Sequence, residues 1–290
     1  MVAVVFAALS GALFGALAVA VRQALRRGAD PYVGVAVVPG VALLLGLLIS
    51  APSLALDDVH VSDLWPFALA GALVPGASQI LFIIAVRDAG PSRAAILIGT
   101  APLMSVGIAL VVLGEPFRPL LAVGTALVVA GGVALGRERT RPAQFRVLGA
   151  GLALACAALF AVRDNIVRWA ARGTHPPPLI AVDVSLAAAA IVTLVYVLSI
   201  RRKELQERLV VAVKAFAPAG IALAVAYDFL FVAFDRGRVS IVAPLNATQS
   251  LWAVLLSGVF SGRHTELIGR RLVLAATLIV AGAAVIGVVR

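Results

Sequence analysis

Gly124 to Gly131 reads GTALVVAG, and Ala275 to Gly282 reads AATLIVAG, the same small-and-aliphatic pattern 151 residues further on. Working outward, that register also lays Glu115 on Glu266. Phe82 to Ser92 and Leu230 to Ser240 run in parallel at an offset of 148, with Arg87-Asp88 meeting Asp235-Arg236. RRGADP (Arg26 to Pro31) parallels ARGTHP (Ala171 to Pro176) at an offset of 145, with Gly28 on Gly173 and Pro31 on Pro176. Slips of three residues are ordinary loop insertions. The chain therefore divides into two related units, 1–140 and 141–290.

Composition places both units in a bilayer. Hydrophobic residues are 62% of the 290 and charged residues only 13%, with a mean hydropathy of +1.07, so a soluble fold would leave most of this apolar surface without a core to enter. A hydrocarbon layer about 30 Å thick needs roughly 20 apolar residues per helix. Ten stretches supply them: 2–21, 32–50, 64–86, 94–113, 119–136, 147–170, 179–200, 215–234, 240–260 and 271–289. The expected fold is all-α and polytopic. Between the stretches lie short turns, a linker at 137–146 and a helix-prone segment at 201–214 expected at the membrane surface. The first stretch lacks the basic leader of a secretory signal and reads as a retained span.

Five spans per unit is an odd number, so the second unit enters the membrane from the opposite side. The expectation is two inverted five-helix repeats, an arrangement that lets a midplane site open alternately to either side. Basic residues set the orientation. Of the 24 Lys and Arg, 17 fall in the odd-numbered connections, including 137–146 and 201–214; only Arg118, Arg163, Arg168, Arg172, Arg236, Arg238 and Arg290 fall on the other side. That predicts both termini outside. The net charge of +10 is then accounted for by topology and anionic lipid, with no nucleic-acid partner. Lone Cys156 gives neither a disulfide framework nor metal spacing, and the pattern calls for no cofactor. The preponderance of Arg over Lys points to a prokaryotic plasma membrane.

The ten-span layout, Leu113-Gly114-Glu115 followed by Gly124 and Gly131, and Pro102 within GTAPLMS (Gly99 to Ser105) resemble the EamA-type branch of the drug/metabolite transporter superfamily. In that family each half shows a Pro-containing fourth span, a Gly-Glu turn and a Gly-rich fifth span. The second half departs from this, with Ser250 in place of the Pro, Pro244 six residues earlier, and SGRHTE (Ser261 to Glu266) at the turn. The resemblance implies a permease for small metabolites and both termini in the cytoplasm, opposite to the charge count.

Ionisable groups deep in a bilayer are costly and mark function or internal pairing. In span six, Arg163, Asp164 and Asn165 lie about 6 to 9 Å from the midplane at 1.5 Å per residue; Asp164 and Arg168, spaced i,i+4, form a candidate ion pair. In span eight, Tyr227, Asp228 and Phe231 share a face suited to an aromatic wall with one carboxylate, which could bind a cationic group, carry a coupling proton or pair with Arg163. Gln79, the repeat partner of Tyr227, puts a polar group at equal depth. In span nine, Asn246, Gln249, Ser250, Ala253 and Ser257 form one polar stripe, Pro244 frees a backbone carbonyl, and Trp252 lies off the stripe. Thr100 and Ser105 are the weaker counterparts in span four. Asp183 reads as interfacial, Glu115 as a cap or turn, and Gly11-xxx-Gly15 and Gly132-xxx-Gly136 as helix-packing sites.

These features predict a secondary transporter, not an enzyme, moving an amino acid, amine or related small metabolite, with protons as candidate coupling partners. Its cavity should lie between spans one, three, four, six, eight and nine. The alternatives are a channel or uncoupled exchanger, and a membrane-embedded enzyme. The last would need a His, Cys or carboxylate cluster, whereas His60, His175 and His264 all sit in connections.

Overall fold

In the computed structural model, the described residues are 1–56, 60–89, 94, 97–136, 147–173, 176–261 and 270–288. Linker 137–146, Glu266, His175 and His264 lie outside them. The described residues form helices and no strand. The first is α1 (Val2–Arg26), and its exit explains RRGADP. Gly28, at φ 80°, turns the chain so that Ala29 N–H returns to Ala24 O; Asp30 Oδ1 then accepts from Tyr32 N–H at 2.8 Å and opens α2 (Pro31–Leu56). A left-handed Gly, an Asp cap and a Pro in the first turn are a compact antiparallel connection.

The third span is broken into α3 (Trp65–Gly71), a widened turn at Ala72–Ala77 and α4 (Ser78–Ala89). The break falls at Val74 (φ −143°, ψ 118°), just before Pro75, which cannot donate to the ladder. There follow α5 (Ala101–Val111), α6 (Pro119–Gly136), α7 (Val147–Gly173), α8 (Pro178–Ile200) and α9 (Arg202–Arg236). The ninth stretch is α10 (Val239–Asn246) and α11 (Gln249–Ser261), and α12 (Arg270–Val288) ends the chain. Six of the described helical stretches are long and apolar enough to cross a membrane, and shorter apolar helices accompany them. The molecule is an integral multi-pass membrane protein.

The segment 201–214 departs from expectation. It is not a separate surface element but the first turns of α9, whose 35 residues run about 52 Å, well past a 30 Å core. Arg201 stacks on Tyr32 with its guanidinium carbon 4.8 Å from the ring centroid, and Glu204 accepts from its Nη1 at 3.0 Å.

Packing pairs helices of one half with helices of the other, in reciprocal sets. α1 lies along α9, and α4 lies along α7; α2 meets α9, and α3 meets α8; α1 meets α11, and α5 meets α7. Two further contacts, α6 with α12 and α2 with α8, join helices that hold corresponding places in the order of the two halves. Lipid tails are as apolar as Leu, so close van der Waals approach is what holds such helices together. A Cβ on Gly124 would lie 2.9 Å from Gly282 O, and one on Gly131 would lie 2.8 Å from Ala275 O. The two helices that carry GTALVVAG and AATLIVAG are thus antiparallel and touch through those motifs.

Gly11 and Gly15 behave as the packing site they resemble: Cβ atoms there would meet Thr248 Oγ1 at 2.9 Å and Trp252 Cβ at 2.5 Å. Gly132 does not, for a Cβ there would meet only Ser250 Oγ, at an ordinary contact distance of 3.7 Å. Asp183, in the second turn of α8, is buried. It is 5% exposed between α2 and α9, where Ser50 Oγ donates to its Oδ2.

Candidate functional site

Two helix breaks define the site. Leu97 and Ile98 are helical, Gly99 and Thr100 form a turn, and α5 resumes at Ala101. In the second half Ala247 and Thr248 form the turn between α10 and α11. Thr100 Oγ1 donates to Leu97 O at 2.6 Å, and Thr248 Oγ1 donates to Leu245 O at 2.7 Å. These are the same contacts 148 residues apart. A hydroxyl that bonds the carbonyl three residues back satisfies a group the interrupted ladder has freed.

Between the breaks lies a cavity of about 440 Å³. Its walls come from α1 (Phe14, Ala18), α4 (Phe82), the segment Ile98 to Pro102, α6 (Val128, Val129, Gly132), α7 (Phe160, Arg163, Asp164) and the α10–α11 region (Ala243, Asn246, Ala247, Gln249, Ser250, Ala253). That volume suits a ligand of metabolite size. The lining runs from the middle of α7 toward the helix ends that flank residues 137–146. Spans one, three, four, six and nine contribute as expected. Span five contributes as well, because Gly132 and its valines open the wall that a larger residue would close. Span eight does not line the cavity, correcting that expectation.

Span eight stands directly behind instead. Tyr227 is 1% exposed, its hydroxyl donates to Val74 O at 3.0 Å, and its ring meets Phe14 edge to face and lies tilted against Phe231. The carbonyl it reaches belongs to the broken third span. Asp228 does not pair with Arg163; its charged neighbour is Asp183. Arg163 is 1% exposed, with its guanidinium carbon 5.4 Å from the Tyr227 ring centroid and 5.7 Å from that of Phe160.

The expected Asp164–Arg168 pair is also replaced. Asp164 Oδ1 lies 2.9 Å from Arg163 Nε, a charge contact without hydrogen-bond alignment, and Ser105 Oγ donates to Asp164 Oδ2 at 3.0 Å. Arg168 Nη1 donates to Phe234 O and Asp235 O, both at 2.7 Å, and so caps the end of α9. An i,i+4 spacing permits a pair but does not outbid two carbonyls left free at a helix end.

Of the other candidates, Asn246, Gln249 and Ser250 line the cavity, and Ser10 Oγ lies 3.1 Å from Asn246 Oδ1. Asn165 faces away, donating to Ser105 O and Ala161 O beside an apolar groove that includes Trp169. Gln79 is half-buried on α4 and is not among the lining residues. Trp252 is 39% exposed and also outside the lining, its Cβ against Gly15.

The opposite end is shut. Gly114, at φ 62°, returns Glu115 N–H to Ala109 O and aims the Glu115 side chain across to the second half. Its Oε1 accepts from Val239 N–H at 2.8 Å, and its Oε2 accepts from Ser240 N–H at 3.0 Å and Ser240 Oγ at 2.6 Å. Glu115 is thus a cap, as expected, but for a helix 124 residues away. Sequence reasoning saw the carboxylate and missed the partner; the signal was the helix start at Val239 after Gly237, on the same face of the membrane. Trp65 and Trp169 meet edge to face at 6.2 Å on this side.

Residues 1–136 match the model of the EamA-like transporter family. That family belongs to the drug/metabolite transporter superfamily, and the match covers the first half of this chain. A solved crystal structure of a protein 24% identical superposes with a TM-score of 0.77 over 99% of this chain and 96% of its own, so both halves share that protein's fold. No curated protein matches the chain. The EamA-like half supplies Pro102, Phe82 and Glu115, while the second half supplies the charged pair and the amide side chains.

Proposed function

We propose that this EamA-like chain is a ten-span secondary transporter built as two inverted repeats, which carries a small metabolite across a prokaryotic plasma membrane by alternating access. The single observation that carries this reading is the cavity bounded by two helix breaks with matching Thr100 and Thr248 contacts. Discontinuous helices in corresponding positions of two halves are the usual construction of a carrier site. The reciprocal contacts of α6 with α12 support the two-fold relation. The cavity opens toward the basic face and is closed by Glu115 at the other, so exchanging the two halves' conformations would close the first and open the second. Arg163, Asp164, Asn246, Gln249 and Ser250 contact the substrate; Tyr227 and Ser10 hold Arg163 and Asn246 in place.

Counterflow in reconstituted vesicles tests this. A carrier shows saturable uptake of labelled substrate driven by unlabelled substrate inside, whereas flux linear in concentration would establish a channel. Proton coupling is proposed through Asp164, the one carboxylate among the described cavity residues, with Asp228 as second candidate. Asp164→Asn should abolish uptake driven by an imposed proton gradient while leaving counterflow measurable. If both Asp164→Asn and Asp228→Asn keep gradient-driven uptake, the protein is an uncoupled exchanger.

A further inference from the structure

We infer that Arg163 is a carboxylate-binding group, and that the substrate class is an organic monocarboxylate with an apolar body. The inference rests on the transport reading of this cavity and goes beyond it by naming what the cavity selects. A guanidinium 1% exposed at membrane depth is expected to have its N–H edges satisfied, because each unpaired polar group there is costly. Those of Arg163 are not. Among the described residues Nη1 has no hydrogen-bond partner, and Nε has only the misaligned contact with Asp164. Phe160 and Tyr227 lie near enough to attract the cation with their ring faces, but a ring face takes no N–H edge. The side chain belongs to the cavity wall. A planar guanidinium with Nη1 unpaired and Nε only loosely engaged matches a carboxylate, whose oxygens accept charge-assisted hydrogen bonds from it.

The pairing of Asp164 disfavours an amine. Among the described lining residues Asp164 is the one carboxylate; its Oδ2 accepts from Ser105 Oγ, and its Oδ1 lies in charge contact with Arg163 Nε. An ammonium there would compete with a guanidinium 2.9 Å away. A phosphate dianion would meet one cation, Arg163, among the described lining residues, already in contact with Asp164. The rest of the wall is set for an apolar body: Phe14, Phe82, Phe160, Ile98 and Val128 surround the space. Asn246, Gln249 and Ser250 give neutral hydrogen-bonding capacity opposite Arg163, enough to accept a second polar substituent without requiring one.

The experiment uses purified full-length protein and matched probes that differ only in the head group: 3-phenylpropionate and 2-phenylethylamine, indole-3-acetate and tryptamine, hexanoate and hexylamine. Binding is read by calorimetry and by the ligand-dependent rise in Tm. At least one carboxylate should bind saturably, with its amine about tenfold weaker or worse. Arg163→Lys keeps the charge but loses the fork, and should raise the Kd of that carboxylate by about 10- to 150-fold, the range for a hydrogen bond to a charged group. The double variant Arg163→Gln/Asp164→Asn leaves no unpaired charge and should fold, with carboxylate binding lost. Three results overturn the inference: no carboxylate binds, an amine binds as tightly as its carboxylate, or binding survives in the double variant. Carboxylate binding without counterflow would remove the transport reading and leave this one. Counterflow of an amine but of no carboxylate would do the reverse.

Discussion

At the scale of the residue, the account turns on side chains that reach from one half to groups the other half has left unpaired. Glu115 takes three donors at the start of α10, where the first N–H groups of a helix have no partner within it and the helix dipole favours a negative charge. Arg168 does the converse at the end of α9, where carbonyls are free. Both close the same face. Glu115→Gln keeps the shape but weakens charge-assisted bonds, at a cost of about 1–3 kcal/mol; the expected result is a Tm lowered by several degrees. The same variant should favour the state open on this face, and Arg168→Gln should act in the same direction. An unchanged Tm for Glu115→Gln would mean the cap contributes nothing. Glu115 was legible as a cap from its place after Gly114, but its partner was not, because a contact across 124 residues leaves no local periodicity.

At the scale of the element, breaks and close approaches were read unevenly from sequence, and the reasons differ. Hydropathy located an apolar helix within each expected stretch, since apolar content marks them, though α2 runs six residues past its expected end. It could not show that 201–214 continues into α9, because helix propensity is indifferent to where the bilayer ends. Pro75 and Pro244 signalled irregularity in spans three and nine. The turn at Gly99-Thr100 carried a weaker signal, and only the matching Thr248 contact shows what the threonine does. Span five was passed over as a site wall because glycine reads the same way whether it admits a neighbouring helix or opens space. Gly124 is the first kind and Gly132 the second. Gly124→Val should therefore push α6 from α12 and cost about 1–3 kcal/mol through overpacking, read as a lower Tm. Gly132→Val should leave Tm within a degree or two and shrink the cavity, reducing counterflow. Equal Tm losses for the two would contradict this division of roles.

At the scale of the whole molecule, the repeat that began as a pattern in GTALVVAG and AATLIVAG becomes a physical contact, with each motif packed on the other. Around that contact the halves share one cavity but contribute different chemistry: the first gives apolar wall and the Glu115 cap, the second gives Arg163, Asp164 and the amide side chains. The polar stripe of span nine was legible because its spacing is helical. The Arg163–Asp164 pair was not, because neighbouring residues on a helix normally diverge and only the Tyr227 and Phe160 rings direct Arg163 back. The central claim is that this one cavity opens to each face in turn, and sided thiol labelling tests it most directly. With Cys156→Ala as background, Ser250→Cys places a thiol on the cavity wall, and a membrane-impermeant maleimide is applied from each side of sealed vesicles. The account predicts labelling from the face that carries residues 137–146, together with labelling from the opposite face that increases when Glu115→Gln is added. Labelling from one face alone, unchanged by Glu115→Gln, would contradict alternating access.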